Sequence, residues 1–200
     1  MAILYEPKWK SYMALTIEPI FTPKQCQMVV DAGHAQKPEE ARVGSAKVDG
    51  DKHGGKHDAK KRVTTISWIP FADMKEMYQQ IENQMLKVNT NHFGFAGMQL
   101  TEPAQFTEYP KGGFYDWHMD SDTTFAHEPT VRKISMTLLL SNPSDFKGGE
   151  LQFMDQGYPV KDLRQGQAIF FASFLRHRVA PVKKGVRRSL VMWFGGPPLR

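Results

Sequence analysis

The chain has 200 residues, 40% of them hydrophobic and 12% aromatic, which suits one domain with a sizeable core. A formal net charge of +5 permits an acidic or nucleic-acid partner without demanding one. The single cysteine, Cys26, excludes an intrachain disulfide, and no run approaches the ~20 apolar residues of a membrane helix, so a membrane role is not expected.

Thr22-Pro23 reads as a helix start, with Thr as N-cap and Pro at the first helical position, and the helix is expected to run to about Gln36. Cys26 lies in its apolar pattern and reads as buried and inert. Gly44 to Lys61 carries four Gly, two His and few large apolar residues, the composition of a mobile loop. His53 and His57 within it read as solvent-exposed. Val63 to Ile69 alternates and is β-branched, which predicts a strand. Met74, Met77, Tyr78, Ile81, Met85, Leu86 and Val88 predict a second helix whose methionines are core packing, broken by Asn89-Thr90-Asn91 and Gly94.

From Met98 onward, short strand-like runs alternate with turn signals. The runs are Met98 to Tyr109, Phe114 to Met119, Ile134 to Leu140, Glu150 to Phe153, Gln167 to Phe171, His177 to Val182 and Arg187 to Phe194. Many short strands with Gly/Pro turns indicate a sandwich or barrel, and two helices ahead of it should pack on an outer sheet face.

His118 and Asp120 stand two apart, so in a strand or at its end they point to one face and can converge on one ion. His177 begins another strand-like run and is the candidate third ligand. Two His and one carboxylate leave open the positions that non-haem Fe(II) oxygenases use. Alone, His-x-Asp is a weak signal. Arg187, ten residues beyond His177, is placed to pair with the far carboxylate of a bound acid, and Ser189 shares its face. Asp116 lies off the ligand face. Asp122 reads as a turn residue, and His34, His92 and His127 as surface or helix-end residues.

The ordered set Tyr109, Gly112-Gly113, Tyr115, His118-x-Asp120, Arg132, Ser135, Leu140-Ser141-Asn142-Pro143, Gly148-Gly149-Glu150-Leu151, His177, Pro181-Val182, Gly185, Arg187 and Trp193 resembles the prolyl 4-hydroxylase-like branch of the Fe(II)/2-oxoglutarate-dependent dioxygenases. It looks most like the small bacterial and phage PKHD-type hydroxylases. The resemblance covers about Met98 to Phe194. It implies an α+β, mainly β fold: a double-stranded β-helix (jelly roll) core over about 98–194, with N-terminal helices over about 20–92 packed on one sheet. The whole of 1–200 then forms one dioxygenase domain, with loop 44–61 as a lid. Carried over by residue, the resemblance implies that His118, Asp120 and His177 bind iron and do the catalytic work. Arg187, Tyr109, Tyr115 and Ser189 bind the co-substrate. The Gly148-Gly149 turn reads as structural. Some relatives have a tyrosine in the strand that here reads Thr137-Leu138-Leu139-Leu140, and relatives of the PKHD type continue into a helical C-terminal extension where this sequence stops at Arg200.

The implied cofactors are Fe(II), 2-oxoglutarate and O2, with ascorbate a further candidate. The implied reaction is hydroxylation of an unactivated C–H bond with release of succinate and CO2. The branch points to a peptide or protein substrate of prolyl type in the cytoplasm, or in a host cytoplasm for a phage protein. Alkylated nucleic acid, a free amino acid or another small metabolite would use the same iron chemistry. A metal-binding cupin-like protein, a zinc hydrolase and a non-catalytic jelly-roll module are the readings of other classes, and Arg187 argues against them. The oligomeric state is left open.

Overall fold

The computed structural model describes residues 12–41, 58–121, 130–154, 159–160 and 163–197. Most of loop 44–61, with His53 and His57, lies outside the described residues, as do Asp122, His127 and Gly157. In chain order the elements are β1 (Leu15–Thr16), α1 (Pro23–His34), β2 (Glu39–Glu40), β3 (Arg62–Val63), β4 (Thr65–Ile69), α2 (Lys75–Val88), a π-turn (Asn89–Phe93), β5 (Gln99–Leu100), β6 (Ala104–Tyr109), β7 (Phe114–His118), β8 (Val131–Leu139), β9 (Lys147–Gly148), β10 (Leu151–Phe153), β11 (Pro159–Val160), β12 (Ala168–Ala172), β13 (His177–Val179), β14 (Val182–Lys184) and β15 (Arg187–Gly196).

Two antiparallel sheets make a jelly-roll core. The larger runs β1-β12-β8-β15-β6-β4-β2, with β5 also on β15; the smaller runs β11-β10-β13-β7-β3, and β9 pairs with β14 in a separate ribbon. Alternation along the strands of the larger sheet decides what lies on each face. Ile134, Met136 and Leu138 of β8, Phe170 of β12 and Leu190, Met192 and Phe194 of β15 pack under the helices with Cys26, Val29, Met77, Ile81 and Met85. Tyr109, Ile169 and Phe171, on the opposite face, pack against Leu151, Phe153, Val179 and Val182 between the sheets. Both helices therefore cover one face and leave the other free to build a site.

α1 starts as expected. The Thr22 side chain accepts from the Gln25 backbone, Gln25 answers to the Thr22 backbone, and Pro23 opens the first turn. It ends at His34, two residues before the expected stop. α2 does not break at Asn89: the chain adds one π-turn to Phe93, because the Asn89 side chain accepts from Phe95 N and donates to Phe95 O. Gly94, at φ 75°, ends it.

Three expected strands are each divided in two. Val63–Ile69 splits at Thr64, whose hydroxyl donates to the Glu108 carbonyl at 2.6 Å, so that Val63 pairs with Phe114 in the small sheet while Thr65–Ile69 pairs with β6 in the large one. Met98–Tyr109 is interrupted ahead of Ala104 by Pro103, which has no N–H to give a ladder. His177–Val182 is interrupted at Ala180-Pro181 for the same reason, and Ala180 N turns to Glu150 O.

Candidate metal centre

β7 and β13 bring the first two expected ligands together. His177 is the direct antiparallel partner of His118, while Val179 pairs with Tyr115, so β7 carries one more residue than β13 over this stretch. That is a β-bulge. Regular alternation would send Tyr115 and His118 to opposite faces; the extra residue turns both the same way, and their rings stack at 3.5 Å with 14° between planes. Asp116 is exposed, off the ligand face as expected.

Asp120 follows β7 on a segment pinned to the opposite sheet: the backbone N–H groups of Asp120 and Ser121 both donate to the Ser173 carbonyl, at 2.9 and 3.0 Å. Its carboxylate lies between the imidazoles, with Oδ1 3.5 Å from His118 Nε2 and Oδ2 3.5 Å from His177 Nε2. One ligand atom from each of the three residues falls within 4.8 Å of the others. Adjacent ligands at about 2.1 Å from a metal stand about 3 Å apart, so small side-chain adjustments complete a shared coordination shell.

The hydrogen bonds fix the tautomers. His118 Nδ1 lies 2.8 Å from the Asp116 carbonyl and His177 Nδ1 2.9 Å from the Leu175 carbonyl. A carbonyl only accepts, so each Nδ1 carries the proton and each Nε2 turns a lone pair to the cluster, the form a metal requires. Burial pushes the His177 pKa down to about 4, against the pull of Asp120, which keeps this imidazole neutral. Burial pushes the Asp120 carboxyl up, but His177, His118 and Arg132 outweigh it and hold the group well below the usual carboxylate range. A carboxylate between two imidazoles forms a donor set suited to a divalent cation.

Arg187 opens β15 opposite Tyr109 and is 2% exposed. Nη1 donates to Ser189 Oγ at 3.1 Å, the Tyr109 ring lies 5.6 Å from Cζ, and Nη2 has no hydrogen-bond partner among the described residues. Burial lowers its pKa, with Tyr109 and Glu150 opposing. A buried cationic N–H without an acceptor is costly in a folded protein, and it fits the carboxylate of a bound acid. Gly149 makes room for it: a Cβ there would stand 2.7 Å from Arg187 Cδ. The Gly148-Gly149 turn, expected to be structural only, therefore also shapes this pocket.

His118, Asp120 and His177 thus converge with Tyr115 stacked on His118, while Arg187, Ser189 and Tyr109 form a second group, joined to the first because Tyr109 and Tyr115 share the cluster between the sheets. Tyr115 lies face to face with His118, and burial pushes its phenol up to about 12. Among the aromatics on the neighbouring strands, Phe170 belongs to the core beneath the helices, Trp193 faces the site side of the sheet, and Trp117 carries the Arg178 guanidinium over its ring. Sequence reasoning missed the polar stripe on the site face of the large sheet: Gln105 and Thr107 on β6, and Ser135 and Thr137 on β8, all buried. Its signal is a buried strand that alternates polar with apolar instead of reading apolar throughout. Also missed was the Glu102–Arg132 ion pair, bidentate at 2.6 and 2.5 Å, with Arg132 over Trp193 at 4.0 Å and Nη1 3.4 Å from the Asp120 carbonyl. Its partners lie thirty residues apart, and no local pattern links them. His34, expected to be a helix-end surface residue, bonds Glu108 at 3.1 Å.

Comparison with known proteins agrees with this geometry. The model of the 2OG-Fe(II) oxygenase superfamily matches residues 104–195. A PKHD-type hydroxylase of Acidovorax ebreus is 31% identical over 128 residues, covering 60% of this chain and 56% of the relative. The chain spans about half the length of the curated relatives it matches. Among solved structures, the viral collagen prolyl hydroxylase of Paramecium bursaria Chlorella virus-1 in its 2OG complex superposes with a TM-score of 0.70 at 18% identity, over 93% of this chain and 97% of that one. A Trichoplax adhaerens prolyl hydroxylase, solved with a hypoxia inducible factor oxygen degradation domain peptide, superposes at 0.69 and 15% identity, over 92% and 84%. These two likenesses speak for the fold. The family match and the curated relative add a likeness in sequence: residues 104–195 are similar to the 2OG-Fe(II) oxygenase superfamily, whose members use Fe(II), 2-oxoglutarate and O2.

Proposed function

We propose that this chain is an Fe(II)- and 2-oxoglutarate-dependent dioxygenase that hydroxylates an unactivated C–H bond of a peptidyl residue, of prolyl type, with release of succinate and CO2. One observation carries the reading: the cluster of His118, Asp120 and His177 is joined, through Tyr115 on His118 and Tyr109 beside Arg187, to a buried guanidinium whose Nη2 has no hydrogen-bond partner among the described residues. A zinc hydrolase or a metal-storing cupin has no use for that guanidinium; a dicarboxylic co-substrate does.

His118, Asp120 and His177 would hold the iron. Bound iron supplies the oxidising chemistry. Everything else falls to the chain. Arg187 Nη2 and Ser189 Oγ receive the distal carboxylate of 2-oxoglutarate, with Tyr109 alongside. They stand in for the tyrosine that some relatives carry in the β8 strand, where this chain has Thr137 and Leu139. The two Nδ1–carbonyl hydrogen bonds keep the imidazoles from turning. Leu151, Phe153, Ile169, Phe171, Val179 and Val182 wall the space between the sheets and exclude water.

The peptidyl substrate rests on the prolyl hydroxylases that share the fold, one of them solved with a peptide. The test is succinate release, measured with proline-containing peptides, free amino acids and alkylated oligonucleotides as separate substrates. Turnover with the peptides supports the proposal. Turnover with oligonucleotides alone refutes the substrate and keeps the chemistry.

A further inference from the structure

Arg62 opens the short strand β3 and pairs across it with Tyr115. Its Cζ stands 4.3 Å over the Tyr115 ring, and its Nη2 donates to Gln105 Oε1 at 3.1 Å. Gln105 belongs to the large sheet and Tyr115 to the small one, so the guanidinium bridges the two at the site. The Tyr115 ring lies 3.5 Å from the His118 ring, nearly parallel to it. A ring offers two faces. Two groups centred over it at 4.3 and 3.5 Å cannot share one, so Arg62 and His118 take opposite sides. The result is a three-layer stack of guanidinium, phenol and imidazole that ends on a metal-site histidine.

The stack complements the hydrogen bond already described. The contact from Nδ1 to the Asp116 carbonyl fixes one atom of the His118 ring; the plane about that atom needs a second constraint. Tyr115 supplies it on one side and the tilted His177 ring, 4.2 Å away, on another. Tyr115 in turn needs something to hold it against the imidazole. A planar guanidinium suits that task, because it stacks over a ring while its edge stays free to hydrogen-bond.

We infer that Arg62 is a positioning residue of the metal centre, holding Tyr115 flat against His118 and so fixing the direction of His118 Nε2. The inference rests on the proposed metal site, and it assigns Arg62 a task that does not depend on which substrate is used.

The test is Co(II) affinity of the metal-free protein, measured by chelator competition, with the thermal unfolding midpoint recorded for each variant. Loss of a group that orients a metal ligand costs about tenfold or more in affinity. Arg62→Met should lose about that much while unfolding at the wild-type temperature, and Tyr115→Ala should lose a similar factor. Because both act through one stack, the double variant should bind no worse than the weaker single one. Tyr115→Phe keeps the ring and should retain wild-type affinity. Unchanged affinity in Arg62→Met overturns the inference, as do losses that multiply in the double variant. If Arg62→Met fails to fold, Arg62→Lys, which keeps charge and stem but not the plane, is judged by the same criteria. Wild-type protein that takes up no Co(II), or takes it up equally after His118→Ala, overturns the metal-site reading itself, a result distinct from failure at Arg62 alone.

Discussion

Replacing Arg187 by methionine should make the protein more stable and poorer at binding 2-oxoglutarate. The guanidinium is 2% exposed, and among the described residues its polar contacts are one hydrogen bond to a neutral hydroxyl and a ring 5.6 Å away. Nη2 is without an acceptor among the described residues. The ring contact is worth about 0.5–1 kcal/mol and the hydroxyl bond about 1.5–3 kcal/mol. Burying an ion costs several kcal/mol, so the unliganded protein carries a net penalty here, and replacing buried charge with apolar atoms of similar volume is often stabilising by about 1–4 kcal/mol. At roughly 2–4 °C per kcal/mol for a chain of this size, the midpoint without ligand should rise by at least ~2 °C. The price appears on binding. Losing one partner of a buried charge pair costs about 2–5 kcal/mol, which is about thirtyfold or more in affinity. Differential scanning calorimetry with and without 2-oxoglutarate reads both effects, since a ligand raises the midpoint only if it binds the folded state. A variant that melts below the wild type and keeps the full 2-oxoglutarate-dependent rise would refute this reasoning.

Gly149→Ala should act on the same pocket from behind. Its φ of 71° costs an L-residue about 1–2 kcal/mol, and the new Cβ would stand 2.7 Å from Arg187 Cδ. Weaker 2-oxoglutarate binding with unchanged Co(II) affinity, both by titration, is the expected result. Glu108 tests the outer face of the large sheet. Burial raises its pKa, but hydrogen bonds and charge from Arg188 and His34 carry it below its ordinary 4.5. A depressed carboxylate contributes stability that is complete above the unfolded pKa and lost as pH falls through the folded one. Wild type should therefore unfold at a higher temperature than Glu108→Gln at pH 7, by an amount worth about 1 kcal/mol. That gap should narrow below pH 4.5 and close in stronger acid; a gap constant down to pH 2 would contradict the assignment.

How much of this the sequence disclosed follows from how local each feature is. The α1 cap is written in four adjacent residues, Thr22 to Gln25, and was legible. His118 and Asp120 are two apart, so strand periodicity alone suggests their convergence; His177 and Arg187 could be named as candidates from residue type and run, but the resemblance was needed to tie them to the same site, because they lie far along the chain. The bulge that turns Tyr115 toward His118 depends on the register between β7 and β13, which no single strand encodes. For the same reason the Val63–Ile69 run gave no warning that its ends join different sheets: the bend at Thr64 is set by the carbonyl of Glu108, forty-four positions away. The polar stripe of Gln105, Thr107, Ser135 and Thr137 was visible as alternation. It could be read as a pocket lining only once those strands were seen to be buried on both faces.

The most direct measurement of the central claim is the visible spectrum of the anaerobic protein as Fe(II) and then 2-oxoglutarate are added. A ferrous ion held by His118, Asp120 and His177 and chelated by the keto acid should give a metal-to-ligand charge-transfer band. The band should saturate at one equivalent of iron, vanish in His118→Ala, and require far more 2-oxoglutarate in Arg187→Met. Folded wild-type protein that gives no band, or gives the same band without His118, would contradict the account.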